Sequence, residues 1–200
     1  MMKMSHHTHE HYNLDNEENF KRIVAALDSE KRKQQLSAEA IIGYLPELAG
    51  KTVFDGGAGT GFLTLPLAKQ AERVIAFDQS QKMLELIQER ARNARLTNIT
   101  SMSGDIKAID LPDSSVDIAL VSVMIHEVHP FEVALKELAR IIKQDGQFVI
   151  LEFESETMHA NGGHRIPSHV MKESLEKLQL PIIQQLVPAE GMYLFVVGKK

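Results

Sequence analysis

The stretch Thr52-Val53-Phe54-Asp55-Gly56-Gly57-Ala58-Gly59-Thr60-Gly61-Phe62-Leu63-Thr64 decides the reading of this chain. A short apolar run ends in a carboxylate. Four of the chain's 12 glycines then fall within six positions, and a helix-like pattern follows. Residues without a side chain let a backbone approach a ligand closely, and a helix N-terminus offers free N–H groups. This is a nucleotide-binding turn between a strand and a helix.

Outward from it, strand and helix patterns alternate. Thr52–Asp55 reads as a strand and Thr60–Ala71 as a helix. Arg73–Asp78 is a strand and Ser80–Ala94 a helix capped by Ser80. Ile99–Ser103 and Val116–Val123 are strands, Phe131–Lys143 a helix, and Gly146–Phe153 a strand. A helix from Pro167 to Lys177 precedes two strands, Ile182–Val187 and Met192–Val197. Apolar strands separated by helices imply a buried parallel sheet with helices on both faces. The last two strands, joined by Pro188-Ala189-Glu190-Gly191, are expected to be antiparallel neighbours. Before the turn, Phe20 to about Leu48 has a helical pattern that Pro46 interrupts. Residues 1–35 are expected to form an N-terminal tail and cap helix, and 36–200 one domain.

Composition narrows the class. Two hundred residues, 44% hydrophobic and 24% charged, suit one globular domain. A net charge of −5 gives no basic footprint for nucleic acid. No apolar run is long enough for a membrane span, and no signal-peptide pattern opens the chain. The absence of cysteine excludes disulfides, thiolate zinc sites and a cysteine nucleophile. A cytoplasmic protein is expected, with no nucleic-acid or membrane partner, as monomer or homodimer. His6, His7, His9 and His11, with His159, His164 and His169, could meet at a metal only if folding gathered them. No metal is expected.

The turn itself is selective. A dinucleotide fingerprint would place its third glycine at position 62, which is Phe62, and no Gly-Lys-Ser/Thr phosphate loop is present. Asp78, 21 positions after Gly57, ends the second strand, where a carboxylate can accept both ribose hydroxyls. Ser103-Gly104-Asp105-Ile106 ends the third, where Asp105 can accept from an adenine amino group.

In these segments the chain resembles the class I S-adenosylmethionine-dependent methyltransferases. The resemblance runs from about residue 36 to the C-terminus. It is carried by Val53–Thr64, Val74–Met83, Gly104-Asp105, Asp117–Val128 and Ala134–Gly146. Ala134-Leu-Lys-Glu-Leu-Ala-Arg-Ile-Ile-Lys-Gln-Asp-Gly146 resembles the family's "alkEiaRvLkpgG" segment, with Gln144-Asp145 in place of Pro-Gly. Among small members it is most similar to methyltransferases related to those of quinone biosynthesis.

The resemblance implies a three-layer α-β-α sandwich around a seven-stranded, mostly parallel sheet whose last strand is antiparallel, the Rossmann-like methyltransferase fold. It implies S-adenosyl-L-methionine as cofactor, with S-adenosyl-L-homocysteine as product. Asp55 would take the methionine ammonium and the Gly57, Gly59 and Gly61 turn the carboxylate. Asp78 would hold the ribose, Gln79 and Met83 would flank the adenine, and Asp105 and Ile106 would frame it. Ser122, at the end of the fourth strand, completes the cofactor set.

His126 and Glu127 follow that strand and face the transferable methyl group, so they are the candidate general bases; His129 is a weaker one. Arg165, beside Gly162-Gly163, is a candidate for binding an acidic substrate. Tyr12, Arg32 and Gln35 are candidate contacts of an N-terminal lid. The expected reaction is methyl transfer to a small-molecule acceptor. The rivals are a non-catalytic S-adenosylmethionine-binding module, a nicotinamide-dependent oxidoreductase, and a protein or RNA methyltransferase with a partner subunit. The missing cysteines disfavour arsenite and cytosine C5 methylation. The missing Asn-Pro-Pro-Tyr-like segment disfavours methylation of exocyclic amines on DNA bases.

Overall fold

β1 (Thr52–Gly56) lies within the sheet and pairs in parallel with β2 (Arg73–Asp78) on one side and β4 (Val116–Ser122) on the other. A computed structural model describes residues 16–154 and 165–199. β3 (Ile99–Ser103) continues the parallel sheet beyond β2, and β5 (Ile142–Phe153) continues it beyond β4. β7 (Met192–Gly198) runs antiparallel between β5 and β6 (Ile182–Leu186). The strand order is β3-β2-β1-β4-β5-β7-β6. The expected seven-stranded, mostly parallel sheet with an antiparallel last strand is present.

Alternation along each strand feeds two core layers. Val53, Ile118, Leu120, Val149 and Leu194 pack on one face with α3 (Ala38–Ile42) and α4 (Thr64–Ala68). Phe54, Ala119, Val121, Phe148 and Phe195 pack on the other with α6 (Phe131–Ile141) and α7 (Ser168–Lys177). α5 (Gln81–Asn93) places Met83, Leu84, Ile87 and Ala91 inward at helical spacing. The Ser80 hydroxyl caps it by accepting from the Met83 N–H at 3.3 Å. Full burial of Ile87 stabilises the layer by about 1.5–3 kcal/mol.

Several element bounds differ from the sequence reading. The stretch expected as one helical region before the turn is α1 (Glu17–Leu27), α2 (Glu30–Gln35) and α3. Asn16 caps α1 by accepting from the Glu18 and Asn19 N–H groups. The helix expected from Thr60 begins only at Thr64, because the positive φ of Gly61 (+84°) keeps the chain in a turn. β5 begins at Ile142 rather than Gly146, with a register shift against β4. Among the described residues no helix is long and apolar enough to cross a membrane.

Candidate active site

Strand order across the sheet reverses at β1. Its two parallel neighbours lead away to opposite sides, leaving a crevice beyond the strands' C-terminal ends. Register brings those ends level: Gly56 faces Phe77 of β2 and Val121 of β4, and Asp78 faces Ser103 of β3. Asp55, Asp78 and Asp105 thus stand at the ends of three adjacent strands.

Asp55 is the deepest, 3% exposed, and accepts the Thr64 hydroxyl at 2.5 Å. Burial pushes its carboxyl up to about 6; the Thr64 hydroxyl opposes this and the nearby Asp78 charge adds to it. Asp78 is half-buried. Its two oxygens accept from the Gly59 and Ser80 N–H groups, both at 2.8 Å. Burial raises its carboxyl too, against those two hydrogen bonds. Two backbone donors leave lone pairs on each oxygen for a further donor.

The glycine turn carries its own constraints. Gly57, Gly59 and Gly61 all have positive φ, and a Cβ on Gly57 would fall 2.7 Å from Met124 Cγ. Four of its N–H groups bond to protein. Gly57 and Ala58 donate to the Phe77 carbonyl, Gly59 to Asp78 and Gly61 to the Ala58 carbonyl. The Gly57, Ala58 and Gly59 donors hold the turn to β2, and its glycines offer close backbone approach.

Asp105 is exposed. It accepts from the Lys107 N–H at 2.9 Å, while Ile106 beside it is buried. Arg140 and Glu137, both in the segment of α6 quoted above, secure this loop. Arg140 donates to the carbonyls of Ile109 and Leu111 at 2.7 Å, and Glu137 accepts from the Ile109 N–H at 2.9 Å. Gln79 is exposed at the rim, Met83 is buried under α5, and Ser122 is half-buried at the end of β4.

After Ser122 the chain turns at Val123, a β-branched residue held at φ +53° with its N–H bonded to the Leu151 carbonyl at 2.7 Å. That turn delivers Met124 against Gly57 and starts the 3-10 turn Ile125–Glu127. His126 Nδ1 lies 2.9 and 3.1 Å from the two oxygens of Glu152, a fully buried residue of β5. Glu127 lies across the ring, Oε1 3.9 Å from Nε2, with a 63% exposed side chain. Protein packed around its carboxyl displaces water and raises it; the Glu152 and Asp78 charges add to this and the His126 attraction opposes it.

Arg165 differs from the expected surface cation. Its side chain is 6% exposed, 3.6 Å from Glu152 and stacked 4.4 Å from the Phe153 ring, so it is not free for an acidic substrate. Glu152 escaped the sequence reading altogether. The available signal was a carboxylate inside the apolar run Phe148–Phe153, where ionised residues are rare.

The N-terminal helices dock over the glycine turn through a polar knot. Asp28 accepts from Arg90 Nη2 at 2.6 Å and from the Thr60 hydroxyl at 2.7 Å. Arg90 Nη1 donates to the Thr60 carbonyl at 2.8 Å. Arg32 stacks 5.6 Å from the Phe62 ring, and Leu27 lies against Gly59. Tyr12, His6, His7, His9, His11, His159, Gly162, Gly163 and His164 lie outside the described residues. A separate surface depression, lined by Ile42, Pro46, Leu48 and Gln70, sits at the opposite, N-terminal ends of the strands, away from these carboxylates.

Residues 54–150 match the family described as "Methyltransferase domain". The demethylmenaquinone methyltransferase of Thermobifida fusca is 33% identical over 130 residues, 65% of this chain and 53% of that protein. The uncharacterized methyltransferase YcgJ of Bacillus subtilis is 29% identical over 134 residues, 64% of this chain and 53% of that one. The chain spans about half the length of the curated relatives it matches. A solved SAM-dependent methyltransferase from Aquifex aeolicus superposes with a TM-score of 0.78 at 21% identity, over 87% of this chain and 95% of that one. The strand order, the matched domain and this superposition together support a Rossmann-like fold of the class I S-adenosylmethionine-dependent methyltransferase type.

Proposed function

We propose that this protein transfers the methyl group of S-adenosylmethionine to a small-molecule acceptor bound beside His126. The observation that carries the reading is the row of carboxylates on β1, β2 and the β3 end, beside a turn whose glycines admit a ligand to the backbone. Asp55 takes the methionine ammonium: a buried carboxylate raised to about 6 gains most from a cationic partner. Asp78 accepts the ribose hydroxyls through its remaining lone pairs. Asp105 and Ile106 frame the adenine, with Gln79 and Met83 beside it. Gly57, Gly59 and Gly61 leave room for the methionine backbone, and Ser122 lines its path.

The sulfonium is a good leaving group, so the protein's task is in-line positioning and, for a protonated acceptor, removal of a proton. His126 and Glu127 lie at the acceptor end for that purpose. The acidic net charge and the demethylmenaquinone relative favour a small molecule over nucleic acid. The described helices α1 and α2 form a cap over the cofactor site, and residues 36–200 the transferase domain.

Calorimetric titration with S-adenosylmethionine, S-adenosylhomocysteine and NAD(H) tests this. The two methionine-derived ligands are expected to bind and NAD(H) not. Binding of NAD(H) alone would overturn the assignment.

A further inference from the structure

β5 is apolar from Phe148 to Leu151 and again at Phe153, yet Glu152 between them has no exposed surface. A carboxylate so deep needs partners that answer its charge. Arg165 Nη1 lies 3.6 Å from Oε2. The Phe153 N–H donates to Oε2 at 3.3 Å. His126 makes the closest contacts: its Nδ1 lies 2.9 and 3.1 Å from the two oxygens, and its backbone N–H donates to Oε1 at 3.4 Å. Glu152 therefore fixes both the ring and the turn that carries it.

A carboxylate only accepts, so the hydrogen on this contact belongs to Nδ1. Arg165 Nη1 also approaches Nδ1, at 3.5 Å, but that is the outer limit of a hydrogen bond, against two carboxylate oxygens at ordinary distance. Arg165 instead offsets the Glu152 charge, so the ring need not supply a positive charge of its own. Nε2 then keeps its lone pair. It lies on the ring edge away from Glu152, 3.9 Å from Glu127 Oε1.

We infer that Glu152 is a positioning residue that presents His126 Nε2 as the base, and that the acceptor atom arrives protonated, as a hydroxyl or N–H. This rests on the methyltransferase reading above. The acceptor's proton passes to Nε2. Its electron pair forms the bond to the methyl carbon, and the carbon–sulfur bond breaks with its pair remaining on sulfur, leaving the neutral thioether of S-adenosylhomocysteine. The imidazolium then returns its proton to water. A thioether or a preformed carboxylate acceptor would need no such base.

The test requires no acceptor. Long-range proton–nitrogen correlation spectra of the full chain, labelled with nitrogen-15 histidine and recorded above the usual imidazole range, read the tautomer of each ring. His126→Asn assigns the signal. The wild type is expected to show a protonated Nδ1 and a bare Nε2, with and without S-adenosylhomocysteine. In Glu152→Gln the buried Arg165 claims the amide oxygen and the NH2 turns toward Nδ1. The tautomer is then expected to flip to Nε2–H, with an upfield shift of the Nε2 resonance.

A protonated Nε2 in the wild type overturns the inference without reference to any variant. An unflipped ring in folded Glu152→Gln overturns the positioning role, since a merely structural glutamate would change stability and not the tautomer. Failure of the wild type to bind S-adenosylhomocysteine would instead overturn the methyltransferase reading, and the spectra do not depend on that result.

Discussion

Replacing Asp55 with asparagine separates what this carboxylate does for the fold from what it does for a ligand. Its carboxyl moves from 3.8 to about 6 on folding, so the buried ionised form is disfavoured by about 3 kcal/mol. The sign follows from the raised value: the folded state holds the proton more tightly than the unfolded chain. The contribution is fully present below 3.8 and is lost as pH rises through about 6. About 1 kcal/mol of the loss falls between about pH 5 and pH 8. The asparagine amide does not titrate, so wild-type stability relative to Asp55→Asn should fall by that amount over this interval. Urea unfolding at matched pH measures it. S-adenosylhomocysteine affinity, by calorimetry, should fall about 10–100-fold in the variant, from loss of a charge-assisted contact to the ammonium. In the wild type it should also weaken below about pH 6, as Asp55 takes up its proton. A stability difference that ignores pH would refute the burial argument. Equal affinity in the two proteins would refute the ammonium assignment.

Asp78→Ala should weaken S-adenosylhomocysteine binding by about 1.5–3 kcal/mol in the same titration; unchanged affinity removes Asp78 from the ribose. Gly57→Ala puts a Cβ 2.7 Å from Met124 Cγ at a φ of +72° and should destabilise the fold by about 1–3 kcal/mol with loss of binding, read by thermal melting and calorimetry. A normal melt and normal affinity would mean that the Met124 turn is not held against the glycines. Asp28→Ala should loosen the cap by about 1–2 kcal/mol, because the half-buried pair with Arg90 and the Thr60 hydrogen bond are lost together. Hydrogen exchange in α1 should accelerate while β1 and β4 keep their protection, and unchanged α1 exchange would refute the knot.

The parts of the fold legible in the sequence are those whose pattern is local. β2 and β3 match their expected bounds, since each is a short apolar or alternating run bracketed by polar residues. Ser80 announces α5 by its hydroxyl, and the glycine turn by its composition. What the pattern hides is set by tertiary contact. The break between α1 and α2 falls at Asp28-Ser29, whose partners Arg90 and Thr60 are 62 and 32 residues away from Asp28. The early start of β5 through the polar Lys143-Gln144-Asp145 follows from Ile142 pairing with Val116. At the site, Asp55, Asp78 and Asp105 were legible because strand ends are. The glycine N–H partners and the Glu152–His126 contact were not, because both depend on which strands are neighbours.

The polar knot at Asp28 has a consequence for traffic through the crevice. No residue of α1 or α2 is fully buried, and the apolar face of α1, with Phe20, Ile23, Val24 and Leu27, is only half-buried, so the Asp28 knot carries an important part of the docking of the cap. The glycine turn beneath it is held differently, by the hydrogen bonds of its Gly57, Ala58, Gly59 and Gly61 N–H groups to protein. The two sides of the entrance therefore answer to different variables. Salt screens the half-exposed Asp28–Arg90 pair and leaves the turn untouched. Raising the ionic strength is therefore expected to loosen the cap before it disturbs the turn, and hydrogen exchange in α1 against salt measures it.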